Sequence, residues 1–235
     1  FGNNDTPGVF LSAAAKEYIK VYGVIVGKKP LIFTNNDSAY ETAIEFKKNG
    51  VESIILDTRE DHSSELINEA KNLNIAIRFS HAVIAANGYK KVKSATVGKL
   101  NNDKTDFVTT ETIDCDCICV SGFWTPTVHL ASQSGNKLKF NDKIDAFVPD
   151  KSKQNENSIG ASNGTFTLKD TLETSFKMGS EISKKITDKE EKIQLPNTNE
   201  KKYSSHDKFW CSPLPKGKTY KRFVDFQNDV AVSDI

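Results

Sequence analysis

Three short apolar runs, LIFT (31–34), SIILD (53–57) and IAIRF (75–79), follow one another with one amphipathic stretch in each gap. Continuous apolar runs of this length suit strands covered on both faces, as inside a parallel sheet. From Ser38 to Asn49 the apolar residues Ala39, Ala43, Ile44 and Phe46 recur at helical spacing and stop at Gly50. From Ser63 to Leu73 the same spacing recurs in Leu66, Ile67, Ala70 and Leu73. Strand, helix, strand, helix, strand in this rhythm predicts right-handed crossovers within an open α/β unit.

The flanking segments have a different character. VFLSAAAKEYIKVYG (9–23) predicts a packing helix with Leu11, Ala15, Tyr18, Ile19 and Tyr22 on one stripe, Ser12 as cap and Gly23 as stop. After the crossover unit, short extended segments alternate with turn signals at Asn87-Gly88 and Asn101-Asn102-Asp103, an antiparallel meander. DCDCICVSG (114–122) then returns as a sheet strand. Alternation at period two places Cys115, Cys117 and Cys119 on one face of it. A metal or redox role for these thiols competes with that packing role, although zinc sites usually rely on a CxxC turn.

Beyond Gly122, TPTVHLASQSG predicts a short helix, KLKFND and DAFVPD short strands, and NSIGASNGTF a strand running into a turn. Thr167 caps a helix expected to bury Leu168, Leu172, Phe176, Ile182 and Ile186, with Asp170 in capping-box position. From Thr187 on, the chain turns polar and lysine-rich and reads as an extended connector.

The 235 residues suffice for one large or two small cores, and 37% apolar with 27% charged residues indicates a globular chain. The 32 basic and 31 acidic side chains nearly cancel, which argues against nucleic acid as a partner. No apolar run reaches the roughly 18 to 20 residues that span a bilayer, and no signal segment is visible, so no membrane association and a cytoplasmic location are expected. The start at Phe1, in the polar turn-like FGNNDTPG, reads as an internal piece of a longer polypeptide.

The first crossover has the outline of a dinucleotide site without its glycines. Aligned on the strand end, Thr34, Asn36 and Ala39 take the three glycine places of G-x-G-x-x-G. Asn36 puts a side chain where the phosphates would pass. Asp57 falls near the ~20-residue spacing of an acid that binds a ribose hydroxyl. Either TNNDSAY is a plain polar turn capped by Asp37 or Ser38, or the helix N-terminus with Asn35, Asn36 and Ser38 still holds a phosphate. A second candidate is SIGASNGTFTL (158–168), where Gly160, Ala161 and Gly164 let a cofactor lie against the backbone ahead of a helix; a simple glycine-rich connection competes. Gly122 with Trp124 is a third, against a plainly packed tryptophan.

His62, His81, His129 and His206 lie far apart with no spaced second ligand, so no metal site is expected. No nucleophile elbow, redox CxxC or carboxylate pair appears, and no catalytic residue is expected in this chain.

The order of pieces, a crossover unit, a meander, a strand ending CVSGFWTPT and a final GASNG turn with its helix, resembles the pyridine nucleotide-disulfide oxidoreductases. In those proteins one dinucleotide domain is inserted into another. The resemblance implies a Rossmann-like three-layer dinucleotide-binding domain of the disulfide-reductase type with antiparallel meander, plus the return segment of a second such domain. By residue, it implies a packing helix and leading segment over 1–27, an inserted NAD(P)-type domain over 28–122, a return segment over 123–186, and a linker over 187–235.

More specifically, TPGVFLSAAAKEYIKVYGV, VSGFWTPTVHLASQSGNKLKFND, GASNGTF and FVDFQNDVAVSDI are similar to the alpha-subunit family of heterotetrameric sarcosine oxidases. That family implies oxidative demethylation of sarcosine to glycine, with hydrogen peroxide and, using tetrahydrofolate, methylenetetrahydrofolate as products. It implies beta, gamma and delta subunits as partners and a folate-binding domain beyond the linker. NAD is the implied cofactor of the alpha subunit, whereas FAD and FMN belong to the parent complex. Carried onto this chain, Gly160, Ala161, Phe166 and Leu168 would touch NAD, and the turn from Thr34 to Ser38 would be vestigial; Thr34, Asn36 and Asp57 stand beside them as candidate cofactor-binding residues.

Overall fold

A computed structural model of the protein describes residues 1–187, 194–199 and 206–235. They fall into two units, Phe1–Phe123 with Lys202–Ile235, and Trp124–Lys201. The first unit opens with β1 (Val9–Leu11), a strand where helix was expected, and α1 (Ser12–Tyr22). The crossover pattern takes shape in β2 (Pro30–Thr34), α2 (Ser38–Lys48), β3 (Ile54–Asp57), α3 (Glu65–Asn72) and β4 (Ala76–Phe79). The meander is β5 (His81–Asn87), β6 (Ser94–Leu100) and β7 (Phe107–Asp114), after which β8 (Cys117–Ser121) returns to the first sheet.

That sheet is parallel throughout, in the order β1-β8-β2-β3-β4. Its register places Thr34 opposite both Ser121 and Asp57, so three polar residues end three neighbouring strands at one level. Alternation along the strands sorts the core into two layers. Ile32, Ile55, Cys117 and Cys119 face Ala15, Ile19, Ala43, Phe46 and Leu66 of the helices. Leu31, Phe33, Leu56 and Ile118 face Val83, Ala86, Ala95 and Val97 of the meander. A one-residue slip in register would exchange the two sets, which is why both must be apolar. The unit is thus a Rossmann-like sandwich of helices, parallel sheet and antiparallel meander.

Several local expectations change here. Cys115 precedes β8 and packs with the meander-side core, apart from Cys117 and Cys119 on the helix side. Of the stripe expected on the first helix, Leu11, now the end of β1, Tyr18 and Tyr22 are exposed, and Ser12, Ala15 and Ile19 are the buried residues of α1. Small side chains at that contact let α1 approach α2 closely, and the bulky rings are left at its flank, where Tyr18 meets Phe10 and Tyr22. Ser12 does not cap the helix; its hydroxyl donates to Thr42 Oγ1 at 2.8 Å. Gly23 does end it, in the left-handed region at φ 64°. In the hairpin between β5 and β6, Gly88 has φ 150°, and a Cβ there would lie 1.9 Å from the Lys91 carbonyl oxygen.

The connector expected from Thr187 on lies partly outside the described residues, at 188–193 and 200–205. From His206 the chain runs along the first unit and ends in a small hairpin of Phe223–Asp225 and Val230–Ala231. Asn4 holds this hairpin, donating to the Phe223 carbonyl and accepting from its N–H, both at 2.9 Å.

The second unit contains α4 (His129–Gln133), a hairpin of β9 (Leu138–Asn141) and β10 (Ala146–Pro149), a 3-10 turn at Gly160–Asn163, and α5 (Leu168–Thr187). The strand expected ahead of Gly160 is absent among the described elements. The apolar stripe of α5 is not buried either: Leu168, Ile182 and Ile186 are 56%, 40% and 77% exposed. A two-stranded hairpin and one turn are too small to cover a helix of 20 residues. Among the described residues no helix is long and apolar enough to cross a membrane.

Candidate functional site

Ligands of open α/β sheets bind outside the carboxyl ends of the strands, where the chain order reverses direction. Here that point lies between β2 and β8. The Thr34 hydroxyl closes the turn after β2 on itself, accepting from the Asn36 N–H at 3.1 Å and donating to the Asn36 carbonyl at 2.8 Å. Asn36 is 3% exposed. Its amide nitrogen donates to Asn35 Oδ1 at 2.9 Å, to the Ser121 carbonyl at 3.2 Å and to Ser121 Oγ at 3.1 Å. Its amide oxygen accepts from the Ser38 N–H at 3.0 Å and the Ser38 hydroxyl at 2.6 Å. The residue at the second glycine place therefore ties the tip of β2 to the tip of β8 and to the first turn of α2. A helix N-terminus offers its N–H groups to an anion only while they are free; at Ser38 that donor is already engaged.

Asp57 is likewise engaged within the protein. Its Oδ1 accepts from the Arg59 N–H at 3.0 Å and Arg59 Nε at 2.9 Å; its Oδ2 accepts from the Tyr40 hydroxyl at 2.8 Å and Arg59 Nη2 at 2.7 Å. Arg59 Nη2 also lies 2.9 Å from Asp37 Oδ1, and both carboxylates are 0% exposed. One guanidinium thus serves two buried carboxylates. Burial opposes the Arg59 charge, but the bonds and charges of Asp57 and Asp37 outweigh it and raise the pKa. Burial pushes the Tyr40 hydroxyl upward, and the adjacent Asp57 charge adds to that, so Tyr40 stays a donor. Asp37 precedes α2 without a side-chain capping bond, since its carboxylate is turned to Arg59.

Over the same tips runs the C-terminal segment. The Asp207 N–H donates to the Asn35 carbonyl at 2.9 Å, and Asn35 Nδ2 donates to the Asp207 carbonyl at 2.8 Å. The Asp207 carboxylate accepts from the Thr58 hydroxyl at 3.1 Å and pairs with Lys104. Beside it His206 stacks on Phe123, with ring centroids 3.6 Å apart. The crevice above β2 and β3 thus holds a carboxylate supplied by the chain itself.

The second candidate cluster lies in the other unit. Gly160 is buried at φ 70°, its carbonyl accepts from the Thr165 N–H at 3.0 Å, and Ala161 is exposed. Phe166 contacts Trp124, with ring centroids 5.9 Å apart, so Trp124 packs on a ring of its own unit. The Thr167 hydroxyl caps α5 by accepting from the Asp170 N–H at 3.1 Å, and Leu168 is exposed. Gly160, Ala161, Phe166 and Leu168 are thus local neighbours, and so are Thr34, Asn36 and Asp57, but in different units. Arg59, Tyr40, Ser121 and Asp207 were not foreseen. The sequence Asp57-Thr58-Arg59, an acid and a base two residues apart at a strand end, was the available signal for the first of these.

A parallel sheet wound about a switch point, with helices on one face and a meander on the other, defines the dinucleotide-binding fold of FAD/NAD(P)-dependent oxidoreductases of the disulfide-reductase type. No family model matches the chain. Over its whole length, however, it is similar to sarcosine oxidase subunit alpha: 30% identical over 240 residues to that of Rhizobium meliloti (strain 1021), covering 22% of it. It is 29% identical over 241 residues to that of Corynebacterium sp. (strain P-1), covering 25% of it. The chain therefore spans about a quarter of the length of the curated relatives it matches. Among solved structures, Lactococcus lactis thioredoxin reductase aligns at TM-score 0.49 with 14% identity, over 67% of this chain and 50% of that one. The bacillithiol disulfide reductase Bdr of Bacillus cereus aligns at 0.47 with 12% identity, over 70% and 49%. At such scores these two likenesses add no weight of their own; the strand order and the register define the fold.

Proposed function

We propose that this chain is part of a sarcosine oxidase alpha subunit and so an oxidoreductase by membership. The parent complex, with beta, gamma and delta subunits, would demethylate sarcosine oxidatively to glycine, releasing hydrogen peroxide and, with tetrahydrofolate, methylenetetrahydrofolate. The alignment of the entire chain with two such subunits carries this reading. In this reading residues 28–122 are an inserted domain, 123–186 are the return into an NAD-holding domain, and 187–235 lead toward a folate-binding domain. The region contributes to NAD binding through Gly160, Ala161, Phe166 and Leu168 and to docking of the other subunits, while FAD and FMN reside elsewhere and the chain alone is inactive.

A second reading, a non-catalytic scaffold with a degenerate nucleotide site, is favoured by one observation. Asn36 and both oxygens of Asp57 are engaged within the protein. Calorimetric titration of NAD into the assembled enzyme separates the two. Loss of binding in Gly160→Ala, with binding kept in Asp57→Asn, supports the NAD reading. Loss in Asp57→Asn alone refutes it, and no NAD binding in any form leaves the scaffold.

A further inference from the structure

The first unit holds a cleft of about 200 Å³ at the carboxyl ends of β2 and β8, beside the Asp207 crossing. Its walls are aromatic. Phe33 meets Phe1 edge-on at 5.9 Å and Phe209 at 6.3 Å, and Trp210 and Phe223 complete the lining. Among the described residues no charged side chain lines it.

Its polar side chains are nearly all engaged already. Thr34 is bonded within its own turn, Asn35 to Gly122 and Asp207, Thr58 to Asp207, Ser121 to Asn36 and Ser38, and Asn4 to the Phe223 backbone. Ser212 is different: it is 2% exposed, and its hydroxyl has no hydrogen-bond partner among the described residues. A buried hydroxyl without a partner is costly; less than 1 Å² of this oxygen is open, so a partner from the cleft reaches it only when the lining shifts.

The geometry points to a binding site for one uncharged heteroaromatic ring, its faces against the phenylalanines and its polar atom on Ser212 Oγ. The reasoning is by exclusion as well as fit. A phosphate finds no lysine or arginine in the described lining and no free backbone cradle, and burial disfavours the charged form of the Phe1 amino group at the wall. Ligand pockets run to roughly 300–1,000 Å³, so the smaller cleft has room for a single ring system and not a dinucleotide. Stacking and edge contacts with aromatic walls supply affinity, and the single hydroxyl supplies orientation. The inference rests on the reading of this crevice as one without a phosphate cradle.

The test uses the full chain labelled with ¹⁵N and three probes: nicotinamide as the uncharged heteroaromatic, nicotinate as its anionic counterpart, and NAD. Millimolar nicotinamide is expected to shift the amide signals of Val120, Phe209 and Ser212. Nicotinate should bind at least ~10-fold more weakly, because its carboxylate would enter a cleft whose described lining has no charged side chain and where burial disfavours the charged Phe1 amino group. Ser212→Ala should weaken nicotinamide about 5-fold and leave the melting temperature equal or higher, since the hydroxyl it removes bonds nothing among the described residues. Absence of shifts with nicotinamide, equal affinity in Ser212→Ala, a lowered melting temperature in that variant, or shifts confined to Gly160–Leu168 would each overturn the assignment. NAD binding more tightly than nicotinamide, with shifts at Asn36 and Ser38, would instead overturn the underlying reading of the crevice.

Discussion

Replacing Arg59 by Met tests whether the first crossover is held by its buried charges. The guanidinium makes contacts of 2.7 to 2.9 Å with two carboxylates that are both 0% exposed. Methionine fills much of the same volume, so the change removes charge more than packing. Breaking a buried ion pair by deleting one partner costs about 3–5 kcal/mol, because the remaining charge stays buried and uncompensated. Two stranded carboxylates place Arg59→Met at the upper end, about 4–5 kcal/mol in urea unfolding at pH 7. The triple variant Arg59→Met, Asp37→Asn, Asp57→Asn, which strands no charge, should recover at least half of the loss. As a control, Glu111→Gln breaks the exposed pair of Arg78 and Glu111 and should cost under ~1 kcal/mol. A loss for Arg59→Met as small as the control's, with no recovery in the triple variant, would refute the claim that these charges are desolvated.

Asn36→Ala removes the amide that ties β2 to β8 and leaves Ser38 and Ser121 short of partners. It should cost about 1–3 kcal/mol without creating affinity for NAD, checked by urea unfolding and calorimetry on the same sample. Tyr40→Phe takes one donor from Asp57 Oδ2 and should cost about 1–3 kcal/mol in the same unfolding assay. An aromatic disulfide reagent should label Cys211 promptly and Cys115, Cys117 and Cys119 only on unfolding, since these three are buried and Cys211 is exposed. Burial pushes the Cys115 thiol from 9.0 to about 12, with the Cys117 and Asp116 charges adding to it. A group whose folded pKa is raised stabilises fully below its unfolded pKa and loses that contribution as pH rises, so stability should decline between pH 9.0 and about 12. Cys115→Ala should flatten that decline in unfolding curves taken across the range.

The crossover unit was legible because its strands are buried on both faces and its helices on one, and those two conditions write different periods into the sequence. The meander was legible through its turns, where Gly88 takes a φ of 150° that few residues other than glycine adopt. What escaped notice depended on distance in three dimensions. Val9–Leu11 is a strand only because β8, far along the chain, offers it a parallel edge; on local periodicity it continues the helix after it. Tyr18 and Tyr22 keep perfect helical spacing and are nevertheless exposed, since spacing defines a stripe and not what covers it. The same holds for α5. At the candidate site, the absent glycines and the position of Asp57 could be read directly. The acid's partner could not, because nothing local distinguishes an arginine that folds back onto a strand end from one in solvent.

The place of β8 carries a consequence for biosynthesis. It is the last of the five parallel strands to leave the ribosome, yet it lies between β1 and β2. Until it emerges, both of those strands keep a bare, hydrogen-bonding flank, and the nascent chain is open to pairing with other chains. Folding of the first unit is therefore a late, non-local closure and should be slow for a domain of this size. A ribosome-stalled chain with β8 still inside the exit tunnel should be protease-sensitive throughout its crossover helices, and one long enough for β8 to have emerged should become resistant in a single step.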